Sequence, residues 1–296
     1  WKAFGGLALA VLAISWGAPL ARLTVAAPLA VAMWRMLFAT ALLVPLGLAR
    51  RELPLPTSSR RPSVLAGVLL AAHFGTWIPS LFLTSVSASV VLVATSPLWV
   101  LLLGPRFLGA PVRARNLLSF GLAIAGVAVI AWGDFEVSPR ALLGDALAVL
   151  GALGAAGYMV VGKRMRQQAP LLGYLGMVNG TAAAVLVLAV VASGTPALPR
   201  THASWLALLG MAAGPTLVGH SLLNWAMAHL EAYRVNLAVL LEPVGATLLT
   251  WAVVGETPPL HVLPGAVLVI AALVLELVPR QHSSEAGEGG SLAGTC

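Results

Sequence analysis

VNLAVLLEPVGATLLTWAVV, residues 235–254, is a twenty-residue apolar run with one carboxylate, Glu242, near its middle and Pro243 directly after it. Twenty residues at about 1.5 Å each cross about 30 Å, the thickness of a bilayer's hydrocarbon core. Counted from Tyr233, Glu242 lies roughly 13 Å along a straight helix, near mid-membrane. A charge at that depth costs at least ~2.5 kcal/mol and is kept where it faces a cavity, a partner or a pathway. Pro243 removes a backbone donor and loosens the helix at the same point. The pair points to a moving part around a polar site inside a membrane protein.

The rest of the chain agrees with that class. Hydrophobic residues make up 59% and charged residues 9%, against about 25% charged in a soluble domain. No soluble surface can be built from that composition. Ten apolar segments are long enough to span, at approximately 4–23, 29–48, 64–84, 87–107, 116–133, 142–162, 171–192, 205–228, 233–254 and 260–278. They are apolar on all sides and twice as long as barrel strands, so the expected fold is an all-α integral membrane protein. Phe4 to Leu23 is too long for a signal-peptide core and is read as a retained transmembrane helix.

Loop charge gives an orientation. With a cytoplasmic N-terminus, inside loops hold Lys2, Arg50, Arg51, Arg60, Arg61, Arg106, Arg113, Arg115, Lys163, Arg164, Arg166, Arg234 and Arg280. Outside loops hold Arg22, Arg140 and Arg200, and Arg35 lies within the second helix. This positive-inside bias places both termini in the cytoplasm. It also accounts for most of the net charge of +7, so no nucleic-acid partner is needed. The Gly-, Ser- and Glu-rich tail, residues 281–296, reads as disordered.

The chain carries an internal repeat. Ala27-Pro28-Leu29 recurs as Ala169-Pro170-Leu171, and Ser96-Pro97 aligns with Glu242-Pro243. At the same offset as that second pair, Leu103 meets Leu249 and Gly109 meets Gly255; Gly75 with Gly219 and Gly121 with Gly265 follow at a slightly smaller one. The expected organisation is a first five-helix repeat, residues 1–137, and a second, 138–280, followed by the tail. Five is odd, so the second copy must enter the membrane inverted. Ten transmembrane helices as two inverted five-helix repeats are a signature of secondary transporters.

Two stretches carry a more specific resemblance. One is Leu240-Leu241-Glu242-Pro243, with Gly255-Glu256 twelve residues on; the other is Gly144-Asp145 opening the sixth helix. Thr95-Ser96-Pro97 and Gly109-Ala110 repeat the first pattern without the acids. With ten helices, short loops and a five-plus-five repeat, the chain resembles the drug/metabolite transporter superfamily, in particular its EamA-type family, over roughly residues 4 to 279. That resemblance implies a metabolite transporter, often an exporter, with a cavity between the halves and helices five and ten at the periphery.

Several polar or aromatic residues are candidates for substrate binding or gating. Glu242 is either a structural or gating group beside its proline or a direct proton or substrate ligand. Arg35 lies about 10 Å below the outer face by helix rise. It is either a clamp for a substrate carboxylate or a snorkelling, ion-paired arginine. Its aligned position in the second half is Met177, an asymmetry that favours a specific role. His73, at mid-depth, precedes Thr76 and Trp77. His220, expected nearer the cytoplasm, precedes Ser221, Asn224 and Trp225 on one helix face. Either histidine can instead make a helix-to-helix hydrogen bond. Thr95, Ser96 and Asn179 are weaker cases of the same kind. Trp16, Trp77, Trp99 and Trp225 lie deep; with Tyr158 they can form a flat wall for a substrate or pack against lipid. Trp132, Trp205 and Trp251 read as interface anchors.

Other expectations are structural. Pro97 and Pro243 form a pair of hinges. Asp145 suits the positive end of a helix dipole, and Glu256 likewise sits near a helix end. Glu276 can pair with Arg280 four residues on. Gly176 with Gly180 and Gly210 with Gly214 mark close helix contacts.

The sequence offers no cofactor or metal site. Cys296 is the single cysteine and the six histidines contain no HxxxH pair. No HExxH, GxSxG or P-loop pattern is present, which argues against a membrane-embedded enzyme and against ATP drive. The expected function is a secondary transporter, in the exporting direction, of small organic metabolites such as amino acids. It would work by alternating access around a central cavity in a bacterial inner membrane, with protons as a candidate coupling ion. A passive facilitator or an importer of the same fold is the alternative.

Overall fold

The computed structural model describes residues 2–109, 113–130, 132, 138–254 and 260–277. The described residues are helical throughout, with short connections. In order they are α1 (Lys2–Ile14), α2 (Gly17–Arg22), α3 (Pro28–Ala49), α4 (Thr57–Ser80), α5 (Val86–Val93), α6 (Ser96–Leu108), α7 (Ala114–Ile130) and α8 (Pro139–Met165). Then follow α9 (Leu171–Ala192), α10 (His202–Met211), a π-helical stretch (Ala212–His220), α11 (Ser221–His229), α12 (Ala232–Val239), α13 (Glu242–Val254) and α14 (Val262–Leu277). Ala110, Asp134, Glu136, Gly255, Glu256, Arg280, the tail from Gln281 and the side chain of Glu276 lie outside the described residues.

Among the described residues, seven helical spans are long and apolar enough to cross a membrane, α1–α2, α5–α6 and α10–α11 each counting as one. Large apolar side chains such as Leu42, Leu188, Val191 and Leu206 stand exposed on their outer surfaces. In water such a surface would drive aggregation; against acyl chains it is matched to its solvent. This is a multi-pass membrane protein.

Four of the expected spans are broken at mid-length, and proline explains each break. Pro19, Pro97 and Pro243 have no N–H to donate to the carbonyls of Ser15, Val93 and Val239, four residues earlier. The chain turns at those points: Leu241 N donates to Ala238 O at 3.0 Å and Thr95 N to Leu92 O at 3.2 Å, three residues back instead of four. Pro215 likewise cannot reach the carbonyl of Met211, and there the helix widens into its π-helical stretch. Pro45 and Pro79 remain inside α3 and α4 without ending them.

Other corrections concern helix starts. α8 begins at Pro139, and its cap is Ser138, whose hydroxyl accepts from Ala141 N at 3.1 Å. Asp145 therefore lies in the second turn, beyond the reach of the helix dipole's positive end. α4 begins at Thr57, which moves Arg60 and Arg61 from the loop into its first turn or so. Arg60 Nε closes that end by donating to Leu55 O at 2.7 Å. The carboxylate of Glu52, between α3 and α4, accepts from Leu172 N at 2.7 Å and Gly173 N at 3.0 Å and so caps α9.

Glycines set the packing, because lipid gives helices little hydrophobic reason to associate and close backbone approach takes its place. α4 runs between α8 and α9, α3 lies along α9, α1 along the π-helical stretch and α11, and α7 against α14. A Cβ on Gly154 would stand 2.8 Å from His73 N, and one on Gly67 2.7 Å from Val178 O. Gly176 and Gly180 do face α3, through Val44 and Thr40, whereas a Cβ on Gly214 would meet nothing within 4 Å. The tightest reciprocal contact is between Gly126 and Gly265. A Cβ on either would come 2.6 Å from the other's carbonyl oxygen.

Substituting either of these two glycines by alanine forces α7 and α14 apart. Gly126→Ala and Gly265→Ala are each expected to lower stability by about 1–3 kcal/mol, the usual cost of overpacking. Gly104→Ala and Gly121→Ala, where a Cβ meets nothing within 4 Å, are the controls. Thermal unfolding in detergent should show a fall in Tm for the first pair only.

Candidate functional site

A cavity of about 50 Å³ lies in the centre of the bundle. Six side chains singled out above meet there: Arg35 from α3, His73 and Trp77 from α4, Tyr158 from α8, His220 closing the π-helical stretch, and Glu242 opening α13. Val93 with Ser96, and Val239 with Glu242, line it from the two proline breaks. The breaks thus place backbone that has lost its helical donor beside the cavity.

Arg35 is 1% exposed. Its Nε donates to Thr216 Oγ1 at 2.8 Å, and that hydroxyl in turn donates to Met211 O at 3.1 Å. Met211 O is the carbonyl that Pro215 leaves without its helical partner. That carbonyl orients the Thr216 hydroxyl, and Thr216 holds the guanidinium. The ring of Phe74 sits 4.1 Å from the guanidinium carbon, a cation–π contact. Nη1 of Arg35 is buried without a hydrogen-bond partner.

Glu242 attracts Arg35 across the cavity. Yet among the described residues no nitrogen of Arg35 lies within 4.0 Å of its carboxylate. α13 is held beside α1 by Ser15, whose hydroxyl reaches Glu242 O at 3.4 Å and Val11 O at 2.8 Å. Gly245 admits that contact, because a Cβ there would run into the Ser15 side chain.

The aromatic wall is built on α4. The rings of His73 and Trp77 stack with centroids 5.7 Å apart and planes 7° apart. Phe74 meets His220 edge-on at 5.5 Å, and His220 faces Tyr158 at 6.5 Å. Nδ1 of His73 is bonded to Gly151 O at 2.9 Å, so a helix contact and a cavity position coexist in this residue. Trp77 Nε1, His220 Nδ1 and Asn236 Oδ1 are buried and unpartnered.

His220, the last residue of the π-helical stretch, lines the cavity. Trp16, Thr95, Trp99, Asn179, Asn224 and Trp225 lie outside the lining. Asn224 is buried one turn along α11, where Nδ2 bonds Tyr158 OH and His220 O. Trp225 covers Gly6 and packs on His229 at 4.6 Å. Trp99 packs against the apolar core. Phe74, Thr216, Asn236 and Ser15 were not singled out. Asn236 had a readable signal, since 236, 239 and 242 recur at helical spacing through the run quoted first. Thr216 had one in its position directly after an intramembrane proline.

A second cavity, of about 670 Å³, opens one to two turns away at the end of the bundle that carries Lys163 and Arg164. α6, α8 and α12 contribute to both cavities. Its rim holds Arg113, Lys163 and Arg164 against Glu231. Lys163 Nζ also closes the end of α11 by donating to Met227 O at 2.8 Å and Leu230 O at 2.7 Å. Among the described residues no group of three or more His, Cys, Asp or Glu could hold a metal ion.

Comparison with known proteins decides the family. The model of the EamA-like transporter family matches twice, over residues 3–132 and again over 142–278. The chain belongs to the EamA-like transporter family. It is a membrane transporter and not an enzyme. Among curated relatives it is 24% identical over 210 residues to an uncharacterised transporter, YxxF, of Bacillus subtilis strain 168, covering 70% of this chain and 67% of that one. It is 28% identical over 253 residues to a riboflavin transporter of Brucella anthropi, covering 82% and 85%. A solved crystal structure superposes with a TM-score of 0.77 at 21% identity, covering 93% of this chain and 96% of that one. That likeness concerns the fold.

The Arg35–Thr216 contact can be tested in this transporter without a substrate. Thr216→Val removes the acceptor from a buried guanidinium and is expected to cost about 1–3 kcal/mol. Thr216→Ser retains the hydroxyl and should stay near wild type. Chemical or thermal unfolding in detergent separates the two.

Proposed function

We propose that this transporter is a secondary carrier of small organic metabolites, amino acids among them, working by alternating access of two inverted five-helix halves. The reading sets its termini in the cytoplasm of a bacterium, its body in the inner membrane, and its net direction outward. The observation that carries it is the central cavity, flanked by Val93 and Ser96 from one proline break and by Val239 and Glu242 from the other. The two sets are related by one sequence offset. Helix pairing supports the same symmetry. α7 packs on its counterpart α14 and α3 on its counterpart α9; α4 on α8 is mirrored by α1 with the π-helical stretch and α11. The double match to one family model supports two homologous halves.

In this reading the cavity belongs to a closed state. A space of about 50 Å³ holds one or two waters. The 670 Å³ chamber has the size of a small-molecule site. Pro97 and Pro243 are the hinges at which α5–α6 and α12–α13 bend, so that the chamber and the central cavity join on one side and later open on the other. Glu242 sits where gate and cavity meet.

Purified protein in liposomes should show saturable counterflow of at least one solute from a panel of labelled amino acids, riboflavin and organic anions; uptake linear in concentration would indicate a passive pore. Pro97→Ala and Pro243→Ala restore a backbone donor at the hinge. Each is expected to slow exchange about tenfold, or 1.4 kcal/mol of barrier, without loss of Tm. No exchange of any solute, with Glu242→Gln silent in every assay, would sink the reading. A C-terminal tag reached by membrane-impermeant label in intact cells would overturn the orientation.

A further inference from the structure

The central cavity has a charge problem that its own side chains leave open. An arginine is always cationic in a protein, and Arg35 is buried with Nη1 unpartnered. The anion in the same cavity, the Glu242 carboxylate, stands more than 4.0 Å from it, and no described residue donates a hydrogen bond to that carboxylate. Nε is already taken by Thr216 and one face by Phe74. What remains is the outer edge of the guanidinium, with the unpartnered N–H of Trp77 lining the same space. Two free donors beside a fixed cation make a seat for a carboxylate.

The large chamber adds an independent observation. Its rim carries Arg113, Lys163 and Arg164 against one acid, Glu231. Membrane topology accounts for basic residues at that end, but not for their lining a chamber that shares α6, α8 and α12 with the central cavity. A cationic mouth raises the local concentration of anions.

We propose that the substrate is a small organic anion with one carboxylate, which seats on Arg35 and is carried together with one proton held by Glu242. This rests on the transporter reading above, with net outward movement following the anion's own outward concentration gradient. Before loading, Arg35 and Glu242 balance each other. An entering RCOO⁻ takes over Arg35, and an unpaired Glu242 carboxylate would then leave the buried site with a net negative charge. Binding one proton to a Glu242 oxygen restores neutrality. On release RCOO⁻ and the proton both leave, and no net charge has moved.

The other titratable groups facing Glu242 are Arg35 from α3, His73 from α4, Tyr158 from α8 and His220 from the π-helical stretch. α1, α2, α5 and α7, which pack on α13, bring no titratable side chain to the cavity. His73 is engaged by Gly151 O, and a second cation beside Arg35 is disfavoured by repulsion. Glu242 is the group whose protonation offsets the incoming charge. The stacked His73–Trp77 wall fits a flat substituent on the anion.

The test uses full-length protein in liposomes loaded with a trapped pH dye. The probe is labelled phenylpyruvate, a flat monocarboxylate that stays ionised; phenylalanine and phenylethylamine are the zwitterionic and cationic comparators. Phenylpyruvate is expected to exchange saturably, to accumulate toward the alkaline side, to carry protons that the dye records, and to ignore a potassium diffusion potential. Its half-saturating concentration should increase as the medium is made more alkaline. Glu242→Gln, neutral at every pH, should lose that pH dependence, the proton signal and gradient-driven accumulation. Arg35→Lys keeps the charge but not the planar fork and should raise the half-saturating concentration about tenfold, at an unfolding temperature close to wild type.

Phenylpyruvate moving without protons, or a pH dependence unchanged in Glu242→Gln, overturns the coupling. Exchange of phenylalanine or phenylethylamine but not phenylpyruvate overturns the anion and leaves the transporter reading standing. Exchange of nothing defeats both.

Discussion

A guanidinium buried in the middle of a membrane protein is the constraint around which this structure is organised. Arg35 cannot shed its charge, so its surroundings must hold it. They do so with one hydroxyl, one aromatic face and one distant carboxylate, contributed by the π-helical stretch, α4 and α13. Each contribution depends on a backbone irregularity. Thr216 is aimed by the Met211 carbonyl, to which Pro215 cannot donate, and Glu242 begins a helix because Pro243 ends the preceding one. The glycines of α8 let α4 approach closely enough to place His73, Phe74 and Trp77 together. Where lipid gives no drive for burial, such polar and close-packed contacts select one arrangement of helices from many.

Stability and mobility are separated in the same molecule. α7 and α14 meet through bare glycine backbone and contribute no residue to the central cavity. α5–α6 and α12–α13, which do line it, are broken at mid-length. A broken helix has weaker resistance to bending at the break than an intact one, because the bond that would have to stretch is already absent. The rigid contacts therefore lie at the margin and the compliant ones beside the site. The alternating-access reading proposed above needs that division, since a site that changes its exposure must move relative to something that does not.

The membrane class and helical architecture were legible in the sequence because they follow from quantities it states directly: segment length, apolar content and charge. Those quantities are summed over twenty residues and tolerate local error. The breaks were legible only as prolines. A proline marks a lost donor but not the response, and the responses here differ: turns after α1, α5 and α12, a π-helical stretch after α10, and none in α3. Helix starts were misjudged where polar first turns continue a helix beyond its apolar part, as at Arg60 in α4 and Arg140 in α8. Asp145 was misplaced for that reason.

For the site, the rare residues were conspicuous. Arg35, Glu242, His73 and His220 stand out in apolar text, and geometry brings them to one cavity. Ordinary ones were invisible. Phe74 supports the guanidinium but looks like any core aromatic, and Asn224 and Trp225, one turn beyond His220, lie outside the cavity lining. One extra residue per turn shifts a face by about 100°, so a face drawn across Pro215 on ideal helical spacing cannot hold. Sequence periodicity therefore carries information up to an intramembrane proline and must be restarted after it. In this protein two of the restart points, Pro97 and Pro243, directly follow the cavity-lining Ser96 and Glu242, so the polar groups nearest the cavity were those whose orientation the sequence was least able to give.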